Sequence, residues 1–350
     1  MKVLVDIYLA DNLGDDMFLD HLANQFPSIN FTPFYPGKDY QDFFNQYPNI
    51  EAFSYSFLDK IKARLGNNKL TNYRKLAEEY DALLFLGGGI FREESYWKEV
   101  FSYRVEISRA FRAKDKGVFF IGCNFGPYKT DTFVKAHKDL FSNSNLISFR
   151  DKTSYNLFKE LKNIQYAPDL LWSYPLSPIE KKENTVGISI IDPRHKQGME
   201  HTYEEYIKVH KDLCTKYIEE GKKVKLFSFC SKEGDTEIAK AIISDINAVI
   251  PIIEYDKNIK NYLKEIGRCS YFVAARFHAV ILAMKFSIPV IPVIYGDKTE
   301  NLLKDIDYKE EFIYLENIKS LMNSSFWEMN QELKENYFIE SNKHLSFLKK

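Results

Sequence analysis

At 350 residues the chain is long enough for two domains, and its make-up, 45% hydrophobic and 28% charged, is that of an ordinary globular protein. The formal net charge of −1 leaves no electrostatic basis for gripping nucleic acid or an acidic membrane. No window reaches the roughly 18 apolar residues of a membrane-crossing helix, so membrane contact is at most peripheral. The first apolar run is broken at Asp6, too soon for a signal peptide, and a cytoplasmic location is expected. Cys123, Cys214, Cys230 and Cys269 are scattered without metal-ligand spacing, which predicts buried free thiols in a reducing compartment and no metal site. Aromatics are frequent, 28 Phe and 23 Tyr, and suit a core with sugar-stacking surfaces to spare.

In chain order, VLVDIYL predicts a strand. Asn12, Gly14 and Asp15 predict a turn, and Met17 to Phe26 a helix. Asp15 and Asp16 oppose phosphate binding at that helix N-terminus but suit its dipole. Asp15 is either a helix cap or an acceptor for a sugar hydroxyl, and Asn12 belongs to the same ligand-facing loop. Residues 27–80 are aromatic and Pro-rich, with one strand, a short helix and a helix in LTNYRKLAEEY. DALLFLGGGIF then gives a buried strand followed by three glycines. This is neither GxGxxG nor a Walker loop, so a nucleotide fingerprint is unsupported. Gly88 and Gly89 are candidates for close backbone approach to a ligand, against the plainer reading of a tight turn. Next come a helix from Trp97, the strand VFFIGCNFGP, a helix from Asp131 and the strand LISFRD. Arg150 ends that strand as a candidate ligand contact, Thr153 is the expected cap of the following helix, and Asp169 is expected to close the strand after it.

YPLSPIEKKEN reads as a linker. The alternation then restarts with TVGISIID, a polar loop holding Arg194, His195 and His201, a helix, KVKLFSFC, a helix, VIPIIEY and another helix. YFVAARFHAVILAMKFSIPVIPVIYGDK follows, as strand, helix-like run and strand, with Arg276, His278 and Lys298 at strand ends. Two sets of strand–helix alternation predict parallel sheets covered by helices, and ligands bind beyond the carboxyl ends of such strands. The expected domains are 1–173, 184–310 and a helical tail, 311–350, packing back on the first.

NLGDD, LFLGGGIF, IGCNFGP, ISFRDKTS, APDLLW, VGISI and above all ARFHAVILAMKFSIPVIPVIYGDK together resemble the polysaccharide pyruvyl transferase family. The first loop departs from the family in carrying less glycine before its Asn-x-Gly-Asp. The resemblance implies an α/β fold of two Rossmann-like domains facing across a cleft, GT-B-like, with the acceptor on the first and the donor on the second. It implies phosphoenolpyruvate as co-substrate with no further cofactor. The acceptor is a sugar diol, either a free saccharide or one linked to lipid or nucleotide, and the product is a cyclic pyruvate ketal. Arg276, His278 and Arg150 are then donor-site residues.

The residue types fit that chemistry. An anionic donor needs fixed cations, and arginine pairs bidentately with phosphate or carboxylate. Arg276 and Arg150 serve as clamps, Lys298 meets the leaving phosphate, and Arg194 is a further contact to donor or acceptor. His278 suits a general acid working near neutrality. In an extended segment it would share a face with Arg276. Asp15 is the candidate base or orienter for the acceptor hydroxyl. The competing function is a glycosyltransferase of the same architecture using a nucleotide sugar.

Overall fold

The computed structural model describes residues 1–35, 37–54, 72–179, 183–310 and 312–349. Parts of three expected elements, 55–57 of the aromatic stretch, 70–71 of the helix after it and 180–182 of the linker, lie outside the described residues, as does residue 311.

The strands of the first sheet are β1 (Lys2–Ile7), β2 (Asn30–Pro33), β3 (Ala82–Leu86), β4 (Gly117–Cys123), β5 (Leu146–Phe149) and β6 (Ile164–Tyr166). They pair in the order β2-β1-β3-β4-β5-β6. The second sheet holds β7 (Thr185–Ser189), β8 (Lys223–Ser228), β9 (Ile252–Glu254), β10 (Tyr271–Ala274), β11 (Val290–Ile294) and β12 (Ile313–Tyr314), ordered β12-β11-β10-β7-β8-β9. Every pairing between these strands is parallel. Parallel neighbours need crossovers, and the intervening helices supply them. The central strands are covered on both faces: ALLFL of β3, TVGIS of β7 and VIPVI of β11 are buried at every position. Near-continuous apolar runs are what that double burial demands.

The chain forms two compact units. One takes Met1–Leu9, Phe18–Leu170 and the chain from Asn342 onward; the other takes Ala10–Met17 and Leu171–Ser341. The segment carrying NLGDD therefore groups with the second unit, and of the helical tail only the part after Ser341 groups with the first. The surplus of phenylalanine goes largely into the first core. Phe85 stacks on Phe120 with ring centroids 4.3 Å apart, and Phe91, Phe133, Phe141, Phe149 and Phe158 fill in around them. The second core is mainly aliphatic, built on Val186, Ile188, Leu226, Val273 and Ile291. All four cysteines are buried and free. Among the described residues no helix is long and apolar enough to cross a membrane.

Three helix starts fall earlier than the sequence suggests, two of them because a side chain upstream of the expected cap supplies the hydrogen bond. The first helix begins at Leu13, where Asn12 Oδ1 accepts from the Gly14 amide at 3.0 Å, so Asp15 lies inside the first turn and is not the cap. Asp151, not Thr153, caps Lys152–Leu157 by accepting from the Ser154 amide at 2.7 Å. The helix after β10 begins at Phe277, with Arg276 extended at its N-cap.

Three buried histidines make stability pH-dependent. His137 and His210 use Nδ1 on the carbonyls of Phe133 and Tyr206, each at 2.8 Å, and His344 bridges Ser148 Oγ (2.6 Å) and the Pro168 carbonyl (2.9 Å). Burial pulls each imidazole from 6.5 down to about 4. The unfolded chain therefore takes up these protons below pH 6.5, while the folded chain resists until about pH 4. Stability is full above the unfolded value and is lost as pH falls through that window, by about 3 kcal/mol per histidine at roughly 1.4 kcal/mol per unit. Urea unfolding should show a steep loss between pH 6.5 and 5, before most carboxylates titrate. A flat profile there would mean these imidazoles are not held neutral.

Candidate functional site

Numbered from β7, the second sheet has the order 6-5-4-1-2-3. Its strand order therefore reverses between β7 and β10, and the crevice beyond the carboxyl ends at such a point is where open α/β sheets bind ligands. Arg276 stands there. Ser189, the last residue of β7, accepts at Oγ from the amides of Ala275 (3.0 Å) and Arg276 (3.2 Å), which fixes the backbone as β10 turns into the helix Phe277–Lys285.

Arg276 is 6% exposed. Its Nε donates to Asp235 Oδ2 at 3.0 Å, its Nη2 to Asp235 Oδ1, and its Nη1 to Glu233 Oε2 at 2.7 Å. Burial opposes the guanidinium charge, but Asp235 and Glu233 outweigh it and raise the pKa further. Glu233 also takes Lys196 Nζ at 2.5 Å. Burial would raise its carboxyl, yet Arg276 and Lys196 hold it far below the usual range. Of the five guanidinium N–H donors, three serve this network among the described residues.

His278 lies one residue inside the helix, half-buried, its ring edge-on to Phe277 at 5.1 Å. The expected shared face with Arg276 does not exist as drawn, because the backbone turns helical at Phe277 and the period-2 alternation ends at the N-cap. Both side chains remain at the mouth of a helix N-terminus, where backbone N–H groups favour an anion.

Lys298 is the second residue of the helix Asp297–Asp305, just past β11. Its Nζ is 5.5 Å from the Tyr295 ring centroid and 5.9 Å from that of Phe277. Lys196 Nζ is also 5.5 Å from the Tyr295 ring. Burial raises the Tyr295 phenol, but Lys298, Lys196 and Arg276 outweigh it and draw its pKa below the ordinary value. Arg276 and Lys196 are balanced by Glu233 and Asp235, whereas Lys298 makes no ion pair among the described residues.

The NLGDD segment is tied to this unit at several points. Leu13 N donates to the Phe229 carbonyl at 3.1 Å, Asn12 bridges Cys230, Asp11 pairs with Lys257 (2.6 Å) and Lys232 (3.0 Å), and Asp16 accepts from the Tyr255 hydroxyl at 2.8 Å. Asp16 is fully buried, while Asp15 is half-exposed. Arg194 is taken up by Asp192, with Nη2 at 2.6 Å, and its guanidinium lies 4.2 Å from the Tyr203 ring centroid. His195 and His201 are exposed.

In the first unit the strand order reverses between β1 and β3, and Gly87–Gly89 follow β3. Arg150, 7% exposed at the end of β5, donates to Asp169 at 3.0 Å and to Asn124 Oδ1 at 2.7 Å. A methyl group on Gly88 would overlap that guanidinium, so this glycine lets the loop lie directly on Arg150. At Gly89 a methyl would meet only Arg92 Cδ at 3.7 Å, an ordinary contact. Among the described residues no three His, Cys, Asp or Glu side chains gather as a metal site.

Sequence reading missed Lys196, Glu233, Asp235 and Tyr295. Each follows a strand's carboxyl end, Tyr295 directly and the others within the loop or helix start that comes next, and that placement was the available signal.

A family model described as polysaccharide pyruvyl transferase matches residues 12–297. Among solved structures, the chain is similar to HepE of Anabaena in complex with UDP-glucose (12% identity, 100% of this chain and 96% of that one, TM-score 0.58). It is also similar to UDP-GlcNAc 2-epimerase of Neisseria meningitidis bound to UDP-GlcNAc (11%, 100% and 99%, 0.58) and to that of Methanocaldococcus jannaschii (9%, 100% and 99%, 0.59). At these identities the likeness shows the fold, and it is the GT-B-like α/β class expected from the sequence.

Proposed function

The chain belongs to the polysaccharide pyruvyl transferase family, and we propose that it moves the pyruvyl unit of phosphoenolpyruvate onto two hydroxyls of one sugar, forming a cyclic ketal in glycan biosynthesis. The observation that carries this reading is His278 at a helix N-terminus beside Arg276, with Lys298 on the next helix, at the switch point of the second sheet and within the matched stretch apart from Lys298 itself.

In this reading His278 protonates the methylene carbon of the enol. Positive charge develops at C2, and one sugar hydroxyl adds there and loses its proton. Phosphate then leaves with its bonding pair, and the second hydroxyl closes the ketal and loses its own proton. One released proton restores His278 and the other departs with phosphate. Arg276 holds the donor. Lys298 and Lys196 stabilise charge on the leaving phosphate, and Asp15 orients or deprotonates the acceptor hydroxyl. Asn12, with Oδ1 committed to its own turn, retains its amide N–H groups for a hydroxyl, and Arg194 serves only at the rim.

A nucleotide-sugar glycosyltransferase is the second reading, favoured by the UDP ligands of the similar structures. Thermal unfolding with phosphoenolpyruvate and with UDP separates the two, because a ligand of the native state raises the midpoint. Phosphoenolpyruvate should raise it. Stabilisation by UDP together with none by phosphoenolpyruvate would remove the first reading in favour of the second. Because UDP could also mimic part of a nucleotide-linked acceptor, stabilisation by both ligands keeps the first.

A further inference from the structure

Gly14 sits in the first turn of its helix with an ordinary φ, so its backbone does not call for glycine, and glycine is disfavoured in helices relative to alanine. Its surroundings do call for it. A methyl group built on Gly14 would overlap Nδ1, Cε1 and Cγ of His278. The imidazole thus lies against the backbone of the NLGDD segment, with no room for one more carbon.

Something would have to give, and the segment is poorly placed to do so. Leu13 N is bonded to the Phe229 carbonyl at 3.1 Å, Asn12 bridges Cys230, Cys230 Sγ meets the Ala10 carbonyl at 3.3 Å, and Asp11 is held between Lys232 and Lys257. Asp16, two residues on, is buried against the Tyr255 hydroxyl. The imidazole is the end of a side chain with two rotatable bonds, half-buried, and it is the lighter partner to move.

We propose that Gly14 is a positioning residue for His278: the anchored NLGDD segment forms one wall of the imidazole's slot, and the missing side chain at Gly14 sets where the ring stands. This rests on the reading of His278 as the proton donor. It also gives the segment a second task beside presenting Asp15, since the same backbone that carries the acceptor-side carboxylate fixes the donor-side acid.

The test is a double-mutant cycle in the full-length chain with Gly14→Ala and His278→Ala, read in two ways. Gly14→Ala alone should lower kcat for pyruvyl transfer about a hundredfold, as a displacement of around an ångström does, with KM for phosphoenolpyruvate nearly unchanged. It should also lower the thermal midpoint and shift the His278 ring nitrogen resonances, identified by their loss in His278→Ala. On the His278→Ala background, Gly14→Ala should leave the residual rate unchanged and should not lower the midpoint, since the ring it strikes is gone and alanine suits a helix better than glycine. If Gly14→Ala fails to fold while the double variant folds, the steric coupling is confirmed in its strongest form. Equal penalties in both backgrounds, or full activity with unshifted ring resonances in Gly14→Ala, would overturn the proposal. Coupling in the midpoint, with no pyruvyl transfer even by the unsubstituted chain, would uphold the contact and reject the functional reading.

Discussion

His278→Asn should lower pyruvyl transfer by about 10²–10⁴-fold, the range for removing a general acid, while the protein stays folded. Asparagine is shorter than histidine and keeps a polar end, but it cannot deliver a proton near neutrality. The helix Phe277–Lys285 is secured by apolar residues: Phe277, Val280, Ile281, Leu282 and Met284 are buried, whereas His278 is only partly so. The substitution should therefore leave the thermal midpoint within a few degrees. The loss should fall on kcat, because the proton is transferred in the transition state and contributes little to ground-state binding. Steady-state kinetics with phosphoenolpyruvate as the varied substrate measures both. A normal kcat in a folded His278→Asn protein would end the assignment of the acid without touching the family.

Arg276→Ala should have a larger structural effect. Asp235 is fully buried, and its Oδ2 already accepts from the amides of Phe229 (3.1 Å) and Cys230 (3.0 Å). Removing the guanidinium leaves that carboxylate uncompensated in a dry setting and frees Glu233 to repel it. Breaking a buried pair from one side costs about 3–5 kcal/mol, so the urea midpoint should fall sharply and transfer should disappear. Arg276→Lys keeps the charge but replaces a planar fork by a point, and it should recover part of the stability and little of the activity. The combination Arg276→Met with Asp235→Asn separates the two roles. The asparagine oxygen can still take both amides, so stability should return while transfer stays absent. Wild-type stability in Arg276→Ala would show that the carboxylates do not depend on the arginine.

Much of the fold was legible because double burial writes itself as apolar runs. VIPVIY, DALLFL and TVGISIID could be little else than covered strands, and their alternation with helical patterns fixed parallel pairing. Strand ends followed from the runs, and with them the positions of Arg276, Lys298 and Arg150. The caps were less legible. Asn12, Asp151 and Arg276 each start a helix one to four residues before the expected place; for the first two, capping depends on which side chain folds back on the chain, a choice of rotamer and not of pattern, while Arg276 caps without a side-chain bond.

Placement after a strand could flag Glu233 and Asp235, but their pairing with Arg276 was not legible. Glu233 and Asp235 lie 43 and 41 residues away from it in the sequence, and acidic residues opening a helix are ordinary on electrostatic grounds. Arg194 and Lys196 show the same limit on a smaller scale. Two cations in one polar loop look equivalent in sequence, and only the capture of Arg194 by Asp192 at 2.6 Å leaves Lys196 as the one that meets Glu233. Gly14 read as turn chemistry, when its reason is a histidine 264 residues downstream.

The most direct test is transfer itself. Isotope-labelled phosphoenolpyruvate is incubated with the protein and a panel of free, lipid-linked and nucleotide-linked sugars, and the products are followed by mass spectrometry alongside phosphate release. The expected result is label on one acceptor as a cyclic ketal, with one phosphate freed per ketal and none with His278→Asn. Unchanged phosphoenolpyruvate across the panel, with consumption of a nucleotide sugar in its place, would contradict the proposed reaction.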